Sequence, residues 1–90
     1  MEKVAKVMIG ETVVEEYFFD AEVPNESIDA EVYHFIRSNT TIHRNPHTVD
    51  IYVFGTEYMI DSEKYAYMSD ESIRIAVATT LVNFVEISNV

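Results

Sequence analysis

The sequence has no cysteine and no tryptophan, two glycines, two prolines, and six lysines and arginines against sixteen aspartates and glutamates. Each scarcity excludes something. Without cysteine no disulfide can staple the chain and no thiolate zinc site can form. That composition fits a reducing compartment, so a cytoplasmic location is expected. Six scattered cations are too few to displace the counterions of a row of phosphates, so direct nucleic-acid binding is not expected. Adsorption to an anionic membrane is disfavoured for the same reason. The longest apolar stretch, Ile75 to Val85, is broken by Thr79, Thr80 and Asn83 and is too short to span a bilayer. Lys6 interrupts the apolar residues after Met1-Glu2-Lys3, so no signal peptide is read there. Gly10 and Gly55 stand alone and cannot form a phosphate-cradling loop. No serine has a histidine at a recognisable spacing, and Glu15 and Glu16 point to opposite faces of a strand. No catalytic residue, metal site or cofactor is therefore assigned, and a non-enzymatic role is expected.

What is present is a chain of 90 residues with 48% hydrophobic content, too apolar for a disordered acidic tail. It is read as one domain, residues 1–90. A chain of this length buries only about 60–65% of the surface its unfolded form exposes, so its core is thin.

Residues 2–9 alternate as a strand. Gly10-Glu11 suits a two-residue type II′ turn, and a second strand runs from Thr12 to Val23. In that register Lys6 faces Glu15 and Val4 faces Tyr17. Pro24-Asn25-Glu26-Ser27 opens a helix, with Asn25 or Ser27 as the cap. Ile28, Val32, Phe35 and Ile36 form its apolar face, and it stops near Asn39. A polar loop from Asn39 to Thr48 follows. A second hairpin turns at Gly55-Thr56. Val49, Ile51, Val53, Tyr58 and Ile60 share one of its faces, and Asp50, Tyr52, Glu57, Met59 and Asp61 share the other. Ser62 to Met68 reads as strand extension or loop. Ser69-Asp70-Glu71-Ser72 starts a second helix reaching Ser88-Asn89. Residues 73–87 also alternate as a strand would, but their length and acidic start favour helix.

Gly10 and Gly55 lie half the chain apart, and Asn25-Glu26-Ser27-Ile28 matches Asp70-Glu71-Ser72-Ile73 at the same offset. Pseudo-repeats 1–45 and 46–90, each hairpin then helix, are a fair reading. The expected fold is α+β in the order ββαββα: one antiparallel four-stranded sheet with both helices on one face.

Charge is segregated along the chain. Eight acids fall between Glu11 and Glu31 with no lysine or arginine among them, and no acid lies between Val32 and Val49. Glu16, Asp20 and Glu22 would line one side of the second strand, with Glu26 and Asp29 continuing the row around the helix start. Such a surface, with Glu15 and Glu31 beside it, would steer a basic protein surface toward the chain. A charged edge strand that resists aggregation is the plainer explanation of the same acids. The aromatic residues Tyr52, Tyr58, Tyr65 and Tyr67, with Met59, suit an oligomer interface, a homodimer being the simplest. His43, His47 and Asp50 could hold a metal, or His43 and Arg44 could act on a phosphate. Their Pro-containing segment favours a surface loop instead. The composition resembles, in a general way, small acidic inhibitors: phage-encoded inhibitors, nucleic-acid mimics and toxin immunity proteins. No motif ties it to one of them. The expected function is a small acidic interaction module. A homo-oligomeric scaffold and a small His-dependent hydrolase or metal protein are the alternatives.

Overall fold

In the computed structural model, residues 2–58 and 62–90 are described, apart from the side chain of Ser62. The expected placements of Met59, Ile60 and Asp61 lie outside these residues. The chain runs β1 (Glu2–Ile9), β2 (Thr12–Asp20), α1 (Asn25–Ser38), β3 (Thr40–Arg44), β4 (Val49–Val53), β5 (Thr56–Glu57), α2 (Ser62–Tyr65) and α3 (Asp70–Leu81). A short 3-10 turn, Val82–Phe84, leads into β6 (Glu86–Asn89).

The class is α+β as expected, but the sheet is not. Two three-stranded antiparallel sheets replace the single four-stranded one, in the orders β2-β1-β6 and β3-β4-β5. Each hairpin has one strand, β1 or β4, with an edge left to pair. The last strand of the other half fills it: β6 lies against β1 and β3 against β4. The two halves are thus interlocked, each completing the other's sheet. The expected ββαββα order lacked these two capturing strands. Thr40, Thr41 and Ile42, read as loop, are strand formers that become β3 once an edge is available. The second helix ends at Leu81 rather than near Ser88, because Glu86–Asn89 pair with β1. The helix reading of residues 73–87 holds as far as Leu81, and only Glu86 and Ile87 of that stretch are strand.

The first hairpin turns at Gly10-Glu11, with Ile9 paired to Thr12 and Gly10 at φ +62°, as a II′ turn requires. One residue further in, the register departs from the expected one. A bulge sets Met8 opposite Val13 but Val7 opposite Glu15, leaving Val14 as the extra residue. Lys6 therefore faces Glu16 and Val4 faces Phe18. The bulge moves Val14 against the core and leaves Val13 exposed. β2 ends at Asp20 rather than Val23, where the Val23 amide donates to the Asp20 carbonyl at 3.1 Å. The second hairpin turns at Phe54-Gly55, not Gly55-Thr56. Val53 pairs with Thr56, and both central residues have positive φ, 49° and 77°, the pattern of a I′ turn. Phe54 accepts this left-handed backbone while its ring packs against the core and lies 6.3 Å from that of Tyr17.

Helix α1 begins after Pro24 without a side-chain cap; the amides of Ser27 and Ile28 donate to the Pro24 carbonyl. Asn25, expected as a cap, instead accepts from Lys3 Nζ at 3.0 Å. The C-terminal end is as expected: the Asn39 amide donates to the Phe35 and Ile36 carbonyls. Helix α3 starts where expected, and Ser69 caps it, its Oγ accepting from the Ser72 amide at 3.1 Å. The short helix Ser62–Tyr65 replaces the expected loop or strand extension.

Ile28, Val32 and Ile36 of α1 meet Ile73, Val77, Ala78 and Leu81 of α3 in one core cluster, with Ala5 and Val7 from β1 and Val49, Ile51 and Val53 from β4. Odd-numbered positions of β1 and β4 thus face the helices. The molecule is elongated, 49 × 21 × 16 Å, so this core is a thin layer.

Tyr17 sits at the rim of that layer, its ring stacked on Phe35 at 4.5 Å. Burial, and secondarily the Glu15 carboxylate, push its hydroxyl above the ordinary tyrosine value. Tyr58 is raised too, by burial and then by Tyr65. In the unfolded chain both rings ionise near the ordinary value of 10.0. Their contribution to stability is therefore complete below that pH and is lost as the pH rises through the folded values. Urea unfolding at successive alkaline pH values is expected to show stability declining from that point. Tyr17→Phe should make the decline shallower, whereas an identical slope in the variant would exclude Tyr17 as a source.

Candidate interaction surface

Strand alternation divides the N-terminal sheet into two faces. One packs on the helices. The other carries even-numbered residues of β1 and, beyond the bulge, of β2. Across the ladder these residues form rows. Met8 lies opposite Val13; Lys6 lies between Glu16 and Glu86; Val4 lies between Phe18 and Ser88; and Glu2 lies opposite Asp20. Apolar and charged rows thus alternate along the strands.

This face is open. Phe18 is 61% exposed and Val13 41%. Glu2, Glu16, Asp20, Glu86 and Ser88 are exposed as well. Val4 is buried, yet it is not part of the helix-packed core cluster.

The structure distributes the seven acids singled out from the sequence. Glu16 and Asp20 stand on the open face. Glu15 is half-buried on the helix side of β2, opposite Val7, and its Oε1 accepts from the Glu16 amide at 3.1 Å. Glu22 lies exposed in the turn after β2, so the expected strand row ends at Asp20. Glu26, Asp29 and Glu31 belong to α1, in the layer behind the sheet. Of the seven, Glu16 and Asp20 alone stand on the open face of the sheet. Sequence alternation already places Phe18 beside Glu16 and Asp20, but it missed Val13, Glu2 and Glu86 as their neighbours. Pairing with β6 brings in Glu86, and the bulge decides which of Val13 and Val14 is exposed.

The tyrosines differ in their surroundings. Tyr58 and Tyr65 pack against the core, and Tyr52 lies on the outer face of β4 with His43 edge-on at 5.5 Å. Tyr67 is 94% exposed. Met59 lies outside the described residues.

The segment from His43 to His47 is part strand, not wholly loop. Arg44 reaches from the end of β3 to the segment before α3. Its Nε donates to Asp70 Oδ1 at 2.9 Å, Nη1 to the Ala66 carbonyl at 3.1 Å and Nη2 to the Met68 carbonyl at 2.6 Å. All three donor nitrogens are thereby engaged in holding the chain. His43 and His47 are exposed, and Asp50 accepts from Asn45 Nδ2 at 3.0 Å. Among the described residues no three His, Asp or Glu side chains converge as metal ligands would. His34 on α1 is exposed and lies edge-on to Tyr33 at 5.4 Å.

A cavity of about 300 Å³ opens between Met8, Ile9, Gly10, Tyr58, Leu81 and Phe84. These residues bring no carboxylate, imidazole or cation to it. Among the described residues no helix is long and apolar enough to cross a membrane.

The cations are mostly committed internally. Lys3 Nζ donates to the Val23 carbonyl at 2.9 Å, and Arg74 Nε to the Thr40 carbonyl at 3.3 Å. Arg37 pairs with Glu71 and Arg44 with Asp70. Among the described residues none of the acids from Glu11 to Glu31 takes part in an ion pair. Comparisons with family models, with curated proteins and with solved structures return no match for this chain.

Proposed function

We propose that this chain is a non-enzymatic interaction module whose acidic surface binds a basic site on another protein, in the manner of small acidic inhibitors and nucleic-acid mimics. The supporting observation is the division of labour among its charges. Lys3, Arg37, Arg44 and Arg74 fasten the fold, while the acids from Glu11 to Glu31 have no ion-pair partner among the described residues. Unpaired surface charge of one sign raises the encounter rate with an oppositely charged partner and rejects like-charged ones.

The test is retention of host proteins on the immobilised chain at low and high salt, read by mass spectrometry, followed by calorimetry on the retained partner. A basic protein is expected, released as salt rises. Combined Glu16→Gln, Asp20→Asn and Glu22→Gln changes are expected to weaken it about ten- to a hundredfold at low salt, largely through slower association. A retained partner whose affinity ignores both salt and these changes would refute the proposal.

The interlocked halves also support reading residues 1–45 and 46–90 as a duplicated unit. Ile28, Val32 and Ile36 of α1 recur at the same offset as Ile73, Val77 and Leu81 of α3, all buried. Each half supplies, in order, a hairpin, a long helix and a strand lent to the other half.

A further inference from the structure

Resting on that reading, we propose that the docking surface is the open face of the β2-β1-β6 sheet. We propose further that its occupant is a short extended segment of another protein, carrying apolar and basic side chains at alternate outward positions.

Three observations select this occupant. The first is spacing. Successive rows on the face are two residues apart along a strand, about 6.5–7 Å. An extended segment laid along the strands presents every second side chain at that same interval. Met8 and Val13 form an apolar row, Glu86, Lys6 and Glu16 a net acidic one, exposed Phe18 beside buried Val4 an apolar one, and Glu2 and Asp20 an acidic one. The complement is apolar, basic, apolar, basic at positions i, i+2, i+4 and i+6.

The second is charge. The face holds four carboxylates and one ammonium, Lys6, which is flanked by two of the four. A second copy of this chain would bring four more carboxylates against them. A basic occupant meets uncompensated charge instead, and Phe18 offers its ring to an aliphatic or guanidinium group.

The third is size. Three strands and seven residues of rise give a face of about 14 by 23 Å. That is well short of the roughly 800 Å² per partner that a standard stable interface buries. A strand-sized segment fits it, and a globular partner would need further contacts.

The test uses the full chain, labelled with nitrogen-15, and two synthetic heptapeptides of one composition. One alternates isoleucine and arginine at every second position with serine between them; the other is scrambled to break the alternation. At low salt the alternating peptide is expected to shift amides of β1, β2 and β6. It should bind at least about tenfold more tightly than the scrambled one, and Phe18→Ser should remove about tenfold of its affinity. Phe18 is exposed, so its replacement leaves the core intact. Equal binding of the two peptides would overturn the proposal. Shifts centred on residues 22–31 would overturn this face while leaving the acidic-surface reading standing. The absence of shifts with either peptide would overturn both. A dimer by light scattering that Phe18→Ser dissolves would show a second copy to be the occupant, against the proposal.

Discussion

Ile73→Ala is expected to lower the unfolding free energy by about 3–4 kcal/mol. A folded chain of this length has about 5–13 kcal/mol in total, so the variant would approach the limit of stable folding. Ile73 is fully buried in the cluster joining α1, α3 and the inner strands of both sheets. The side chain lost there leaves a void bordered by two helices and two sheets, which cannot all move inward together. Ile75, two residues along the same helix, is 39% exposed. Ile75→Ala should cost about 0.5 kcal/mol or less. Urea denaturation of both variants provides the measurement. A loss below about 1 kcal/mol for Ile73→Ala would mean that the helix interface collapses freely and is not the rigid centre described.

The next largest effect belongs to Arg44. Arg44→Met keeps the aliphatic stem but deletes the guanidinium that spans Asp70 and the Ala66 and Met68 carbonyls. The ion pair itself contributes little, since the side chains are 39% and 50% exposed. The carbonyl bonds matter more, because a planar fork can serve several acceptors at once. The expected loss is about 1–2 kcal/mol, discounted for solvent exposure. Arg44→Lys should recover less than half of it, since an ammonium cannot reach all three groups in one geometry. Asp70→Asn should cost only a few tenths of a kcal/mol. Hydrogen exchange at residues 66–70 should quicken in Arg44→Met before global unfolding does. Equal stability of Arg44→Lys and the wild type would show that charge alone suffices.

Arg44 also illustrates what could be read from the sequence. Its neighbours His43 and His47 suggested chemistry, since side-chain type and spacing were the available signals. The partners of its guanidinium lie 22 to 26 residues away, and no local pattern marks a backbone carbonyl as an acceptor. The helix Asn25–Ser38 was legible for the opposite reason: Ile28, Val32 and Ile36 repeat at helical spacing, and Pro24 and Asn39 mark its ends. The acidic stretch was legible as charge but not as a surface. Whether Glu15 or Glu16 faces outward depends on the bulge at Val14, and a one-residue slip exchanges the two faces of a strand.

By itself the sequence determined the elements whose causes are local. These are the α+β class, both hairpins, the two long helices, the helix start at Ser69-Asp70 and the concentration of acids in the first half. Turn chemistry, helical periodicity and net charge act over a few residues and leave their mark there. Tertiary structure alone decided the rest: the exchange of β3 and β6 between the halves, the end of α3 at Leu81, and the strand pairing that brings Glu2 and Glu86 onto one open face with Phe18. Each of these depends on which strand edge captures which segment across half the chain. That choice is made by backbone hydrogen bonding, which every residue but proline offers alike, and by the fit of buried side chains in one shared core.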